Sequence, residues 1–227
     1  MNDWLIAFAV FTAAYLLGGV PFGLIAGLVL RGVDIRTVGS GNIGATNAAR
    51  VIGIRWFPVI LLLDALKGFG PTAAAGLLNE PGMLGNAGSV DYVIVAAIGA
   101  MLGHAFSPYL RLGGGKGVAT GLGVMLAITG TPDSVIPWPA LCALGFFALA
   151  LALTRMVSAS SILAALSLPA WYWLFTRPAT WEEPWRARLI FLCVAAAFVI
   201  FKHRANLSRI ARGTEPRLGR KLEVKDG

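Results

Sequence analysis

Apolar residues run through this chain in long blocks. Seven stand out, at residues 4–30, 57–78, 90–110, 117–130, 138–154, 157–175 and 185–201. A helix needs about 20 such residues to cross a hydrocarbon core of about 30 Å, so the pattern predicts membrane helices joined by polar connections. The fourth and seventh blocks are short. Even if fully helical, the fourth falls short of a full span and is expected to start inside the membrane, directly after a glycine-rich turn. The predicted fold class is therefore all-α, a polytopic integral membrane bundle of about seven transmembrane helices, with five or six full spans also possible. Met1-Asn2-Asp3-Trp4 lacks a basic n-region and the run after it is too long for a cleavable signal, so the first block reads as a retained first membrane helix. The whole chain, 1–227, reads as one membrane-embedded domain with 203–227 as a basic tail.

Composition strengthens this picture. Hydrophobic residues make up 57% and charged residues 13% of the 227, against roughly 45–50% and about 25% in soluble domains. A soluble sphere could not hide that much apolar surface. Gly, at 28 residues, and Pro, at 12, exclude a coiled coil and favour helices that pack closely or break open around a site. The net charge of +8 is not gathered into a nucleic-acid-binding module, and no nucleic-acid partner is expected. Arg31, Arg36, Arg50, Arg55, Arg111, Lys116, Arg155 and the basic run from Lys202 to Lys225 alternate with connections that carry only Arg177, Arg186 and Arg188. The positive-inside rule then puts the N-terminus outside and the C-terminus in the cytoplasm, with the tail against anionic lipid headgroups. Cys142 and Cys193 lie in apolar blocks without metal-ligand spacing. They are expected to be core residues, and no metal or other cofactor is expected.

The polar clusters fall on the predicted cytoplasmic ends. The first is Gly39-Ser40-Gly41-Asn42-Ile43-Gly44-Ala45-Thr46-Asn47-Ala48-Ala49-Arg50. Its small residues allow backbone N–H groups to form an anion nest, while Ser40, Thr46 and Asn47 add donors and Arg50 adds a charged fork; a flexible loop is the plainer alternative. In the second, Asp64 and Lys67 share a helix face three residues apart and can pair inside the membrane, as a functional site or as a structural ion pair. The third, from Gly103 to Gly117, contains His104 and Gly113-Gly114-Gly115-Lys116 before a helix start, a phosphate-site arrangement. It is not a Walker A loop, because Gly117 stands where Ser or Thr is needed. The fourth opens the tail with His203 and Asn206, about 60° apart if both sit on one helix, followed by Gly213-Thr214-Glu215. Ser158, Ser160 and Ser161 beside Arg155 are further donors or helix-packing serines.

Two anion cradles, several cations, two histidines and no metal cluster point to chemistry on phosphorylated substrates at the inner membrane surface. No G-x-S-x-G elbow is present, and Tyr109 and Ser208 occupy the positions where an H-x-x-x-x-D acyltransferase would carry Asp. A phospho-metabolite transporter also suits broken helices around anion sites, and a lipid-binding scaffold suits the basic tail.

The stretch from Gly39 to Arg50, Asp64-Ala65-Leu66-Lys67-Gly68, the run from Gly103 to Thr120, and Lys202-His203-Arg204-Ala205-Asn206 with Gly213-Thr214-Glu215 resemble the PlsY family of acyl-phosphate:glycerol-3-phosphate acyltransferases, in the same order over essentially the whole chain. Pro21-Phe22-Gly23 and Thr154-Arg155 with Ser158 also match. The resemblance implies a bacterial inner-membrane enzyme of seven helices. It would move a fatty acyl group from acyl phosphate to the sn-1 hydroxyl of glycerol 3-phosphate, giving lysophosphatidic acid and phosphate in the first step of phospholipid synthesis. The implied partners are glycerol 3-phosphate, acyl phosphate and membrane lipid. Ser40, Arg50, Lys116, His203 and Asn206 fall on positions expected to be catalytic. Gly41, Asn42, Gly44, Thr46, Asn47, Lys67, His104, Gly114, Gly115, Ser158 and Glu215 are expected to bind substrate. Two positions depart from the family pattern: Gly19 stands where Ser is usual, and Gly113 where Lys usually precedes Gly-Gly-Lys.

Overall fold

The computed structural model describes residues 2–79, 90–130 and 133–218. Every element among them is a helix: α1 (Asp3–Gly19), α2 (Phe22–Arg31), α3 (Ala45–Ile52), α4 (Phe57–Leu78), α5 (Tyr92–Ala105), α6 (Val118–Ile128), α7 (Trp138–Thr154), α8 (Val157–Thr176), α9 (Trp185–Lys202) and α10 (Arg204–Ala211), with short 3-10 turns between some of them. Four stretches, Asp3–Arg31, Ile54–Leu78, Tyr92–Leu110 and Val157–Thr176, are long and apolar enough to cross a membrane, and Val118–Ile128 and Trp138–Thr154 are shorter apolar helices. With 11 residues, α6 rises about 16 Å, roughly half of a hydrocarbon core.

Two local features differ from the sequence reading. The first apolar block is two helices, because Pro21 has no N–H to continue the ladder and its ring crowds the preceding turn. The Val20 carbonyl at the break accepts a hydrogen bond from Lys67 Nζ at 2.6 Å. The connection after α2 contains a helix, α3, whose Ala45, Ala48, Ala49 and Ile52 are buried. These lie at i, i+3, i+4 and i+7, the spacing of a single helix face.

The described residues gather into two compact units, within 1–130 and 131–227. In the first, α1 packs on α5, and α4 on both α5 and α6. The helices meet through small residues: Ala14, Ala96, Ala97 and Ala100 are buried, whereas Leu5, Phe8, Val29 and Leu62 are exposed. In water this distribution would be inside out. In lipid, large apolar side chains lose nothing by facing outward, and close backbone approach supplies the packing. A Cβ on Gly103 would collide with the Tyr15 carbonyl oxygen, and one on Gly123 with that of Ala65, so both seams require glycine. Asn79 ties the end of α4 to the start of α5, donating to Asp91 Oδ1 at 2.9 Å and accepting from the Tyr92 N–H at 3.2 Å.

In the second unit α8 packs between α7 and α9, and α10 touches α8 and α9. Inside α8 the hydroxyls of Ser160 and Ser161 donate to the carbonyls of Met156 and Val157 at 2.9 and 2.7 Å, which disposes of them as packing serines. Cys142 is half-buried and Cys193 exposed, so neither is the core residue expected. An apolar block does not imply burial when the surroundings are also apolar.

Candidate functional site

The first polar loop is built on an apolar base. Leu24 of α2, Ile35, Ile43, Ala45, Ala48 and Ile52 around α3, and Ile60 of α4 form one buried cluster. Above it, Asn47 is only 2% exposed. Its Nδ2 donates to the carbonyls of Ile35 at 2.8 Å and Val38 at 3.1 Å, and its Oδ1 accepts from the Ser40 N–H at 2.9 Å. Asn47 was expected to offer its amide to a ligand; here that amide shapes the loop. Asn42 Oδ1 likewise accepts from the Gly44 N–H at 2.9 Å, and Gly41 takes φ +66°, a left-handed conformation that other residues adopt at a cost. The chain then enters α3 at Gly44, where no side chain caps the N–H groups of the first turn. Thr46 is half-buried, and Ser40 and Arg50 are exposed. Among the described residues neither the Ser40 hydroxyl nor the Arg50 guanidinium has a hydrogen-bond partner.

Leu110 packs against the same apolar base, which brings the second loop beside the first. His104, 3% exposed, lies beneath it. Its carbonyl accepts from the Gly115 N–H at 3.0 Å, and Gly115 sits so close to the imidazole that a Cβ would run into Nε2. Ser107 fastens the loop: its N–H donates to the Gly113 carbonyl at 2.9 Å, its carbonyl accepts from the Leu112 N–H at 2.9 Å, and its Oγ donates to the Gly19 carbonyl at 2.7 Å. Arg111 and Leu112 take φ of +52° and +63°, left-handed values that cost non-glycine residues about 1–3 kcal/mol each. Half-buried Lys116 precedes Gly117, which starts α6 at φ +79° without a side-chain cap. Both Gly19 and Gly113 therefore accept from Ser107. A Cβ on Gly19 would stand 2.7 Å from Pro108 Cδ, which is a steric reason for glycine there.

Lys67 and Asp64 pair at 2.7 Å with side chains 4% and 3% exposed. The ammonium also donates to the Val20 carbonyl and lies 5.6 Å from the Phe22 ring centroid. Lys67 was expected to bind substrate. The structure places it at the break between α1 and α2, in the Asp64 pair that the sequence reading held open as a functional site or a structural ion pair.

In the second unit His203 ends α9 and caps α10, so it and Asn206 do not share one continuous helix as expected; both are nonetheless buried, at 2% and 3% exposure. His203 Nδ1 lies 2.8 Å from the Val199 carbonyl oxygen. A carbonyl only accepts, so Nδ1 carries the hydrogen and Nε2 is the acceptor nitrogen of the neutral ring. Glu215, beyond the Gly213 turn, accepts at Oε1 from Ser158 Oγ and Asn206 Nδ2, both at 2.6 Å, and at Oε2 from Arg209 Nε at 2.7 Å. Burial pushes this carboxyl up, but the hydrogen bonds from Ser158, Asn206 and Arg209, with the Arg209 charge, outweigh it and hold it below the usual glutamate range. Ser158 and Glu215, expected to bind substrate, thus bond to each other.

Sequence reasoning missed three parts of this arrangement. Ser107 was hidden in the loop motif, although Ser-Pro after a helix end is a turn signal. Arg209 was merged with the other tail cations, and the Val20 carbonyl leaves no mark on a sequence beyond the proline that follows it.

The comparisons agree with one another. The family profile for glycerol-3-phosphate acyltransferase matches residues 8–213. Proteins called glycerol-3-phosphate acyltransferase are 39% identical in Synechococcus sp. strain JA-3-3Ab, covering 97% of this chain and 98% of that one, and 42% identical in Thermosynechococcus vestitus, covering 91% and 92%. Among solved structures, PlsY (YgiH), an integral membrane glycerol 3-phosphate acyltransferase, is similar in its glycerol 3-phosphate form. It has TM-score 0.78 and 32% identity, over 94% of this chain and 96% of that one. Its lysophosphatidic acid form gives TM-score 0.76 and 31% identity, over 94% and 95%. A multi-pass, all-helical membrane protein with two glycine-rich loops over uncapped helix starts, and with these relatives along nearly its whole length, this chain belongs to the glycerol-3-phosphate acyltransferase family.

Proposed function

We propose that this protein transfers a fatty acyl group from acyl phosphate to the sn-1 hydroxyl of glycerol 3-phosphate at the cytoplasmic face of a bacterial inner membrane, through seven spans with the N-terminus outside. The hydroxyl oxygen forms the new ester bond to the acyl carbon, the bond from that carbon to the phosphate oxygen breaks, and the products are lysophosphatidic acid and inorganic phosphate. The observation that carries this reading is the pair of neighbouring loops, each ending at an uncapped helix N-terminus, with Lys116 just before α6 and Arg50 exposed in the last turn of α3. Two anions need two such cradles, one for each phosphate.

In this reading Arg50, Lys116 and the N–H groups at the starts of α3 and α6 neutralise phosphate charge and align hydroxyl with carbonyl, on loops that spend the N–H groups of Gly41, Gly44 and Gly115 on their own geometry. Ser40, with Asn42 and Thr46, donates to substrate oxygens. Asn47 and His104 hold the loops that do so, and Lys67 holds the break between α1 and α2. The proton of the attacking hydroxyl goes either to His203 Nε2, the acceptor nitrogen of the neutral ring, or to the departing phosphate of the donor, whose second pKa is about 6 if it behaves as other phosphomonoesters. Purified protein in detergent supplied with palmitoyl phosphate or palmitoyl-CoA and labelled glycerol 3-phosphate tests the reading: lysophosphatidic acid acylated at sn-1 is expected from the phosphate donor alone. Equal product from the thioester contradicts the donor assignment, and near-normal turnover by His203→Ala across the pH range removes His203 as the base.

A further inference from the structure

Asn206 carries an unexplained polar atom. Its Nδ2 is bound to Glu215, but its Oδ1 is buried and has no hydrogen-bond partner among the described residues. A buried acceptor left unpaired is costly, so Asn206 Oδ1 calls for a donor from water or a ligand. The orientation of the amide is not arbitrary. A carboxylate only accepts, so the NH2 group must face Glu215 and the oxygen must face away. Arg209 and Ser158 fix the carboxylate in turn, Arg209 at Oε2 and Ser158 at the same Oε1 that Asn206 uses.

We propose that Glu215 is a positioning residue that sets the polarity of Asn206, so that Asn206 presents a hydrogen-bond acceptor to a substrate hydroxyl. This rests on the acyltransferase reading and narrows it. The group Asn206 meets is a donor, the glycerol hydroxyl before it attacks, rather than the oxyanion that develops on the acyl carbon. The tail acid then has no direct contact with substrate; it acts through Asn206.

Exchanging the two functional groups tests this. Asn206→Asp alone sets two carboxylates against each other. Glu215→Gln alone turns the new amide's oxygen to Arg209 and its NH2 to Asn206, which reverses the Asn206 amide. Each single change is expected to lower kcat/KM for glycerol 3-phosphate by roughly 10- to 100-fold, the size of a lost or reversed buried hydrogen bond. In the double variant Asn206→Asp/Glu215→Gln the Gln NH2 donates to the Asp, its oxygen accepts from Arg209, total charge is unchanged, and an oxygen at position 206 again faces away from position 215. Recovery to within about 5-fold of the parent is expected. A double variant that melts like the parent but stays as impaired as the worse single variant overturns the proposal, since a donor at 206 would then be required. Should the double variant fail to fold, adding Arg209→Ala to Glu215→Gln serves instead. Without the guanidinium the Gln is free to turn its oxygen to Asn206, so removing a cation should raise the activity of the single variant; no rise, or a further fall, counts against the proposal. If the parent itself makes no lysophosphatidic acid, the acyltransferase reading fails; if the parent is active and the exchange does not rescue, only this proposal fails.

Discussion

Replacing Lys67 by Met removes the partner of a buried carboxylate and the donor to an open helix carbonyl in one step. Asp64 would keep a side chain 3% exposed with no cation at 2.7 Å, and the Val20 carbonyl would lose its 2.6 Å hydrogen bond. Breaking one side of a buried pair costs about 3–5 kcal/mol, and the Val20 carbonyl, which keeps the Phe22 N–H at 3.2 Å, loses its charged donor at about 1.5–3 kcal/mol. Relaxation of the break at Pro21 recovers part of this, so a net loss of about 4 kcal/mol is a fair expectation. At about 2–4 °C per kcal/mol for a chain of this size, the melting temperature in detergent should fall by roughly 8–16 °C. The informative comparison is Asp64→Leu/Lys67→Met, which removes both charges and leaves the Val20 carbonyl with the Phe22 N–H alone. It should be more stable than Lys67→Met alone, because most of the penalty lies in the unpaired charge. A double variant as unstable as the two single losses added together, or a Lys67→Met protein that melts within about 2 °C of the parent, would refute the assignment of this pair to the helix break.

Gly115→Ala drives a methyl group into the His104 ring, and is expected to raise the KM for substrate by about 10-fold or more through a displaced loop, with a smaller change in melting temperature; steady-state kinetics beside a melting curve check it. Asn47→Ala releases three bonds to the loop and should cost about 2–4 kcal/mol of stability and most of the activity, whereas substitution of exposed Arg50 by Gln should cost activity alone. The Glu215 carboxyl lies below its ordinary range, so it contributes stability that is present above about pH 4.3 and lost as pH falls through its lowered folded value. Melting temperature measured from pH 6 down to pH 3 should therefore decline less steeply in Glu215→Gln than in the parent.

The large pattern was legible because lipid imposes it: uninterrupted apolar blocks located the helices, and the alternation of cations located the connections. Helix α4 begins at Phe57 and ends at Leu78, the bounds of the second block. The break at Pro21 was visible only as a proline, since the carbonyl it exposes is stabilised by a side chain 47 positions away. Helix α3 carries a face of Ala45, Ala48, Ala49 and Ile52, too short and too small-featured to stand out among so many apolar residues. Within the candidate site, the residue types and their order could be read directly, but the direction of each side chain could not. Asn47 turns inward to the first loop, Lys67 to Asp64 and the break between α1 and α2, and Glu215 to Asn206, because buried polar groups must find partners and the turns that bring those partners together leave little mark on the sequence. Ser40, Arg50 and Lys116, by contrast, stand where a polar ligand can reach them.

The most direct test of the central claim is a stoichiometry. Purified protein in detergent micelles is given acyl phosphate and labelled glycerol 3-phosphate, and lysophosphatidic acid and inorganic phosphate are measured together over time. One phosphate released for each lysophosphatidic acid formed, with neither appearing when glycerol 3-phosphate is omitted, is the predicted result. Phosphate release without lysophosphatidic acid, or uptake of unmodified glycerol 3-phosphate into sealed vesicles with no product, would contradict it.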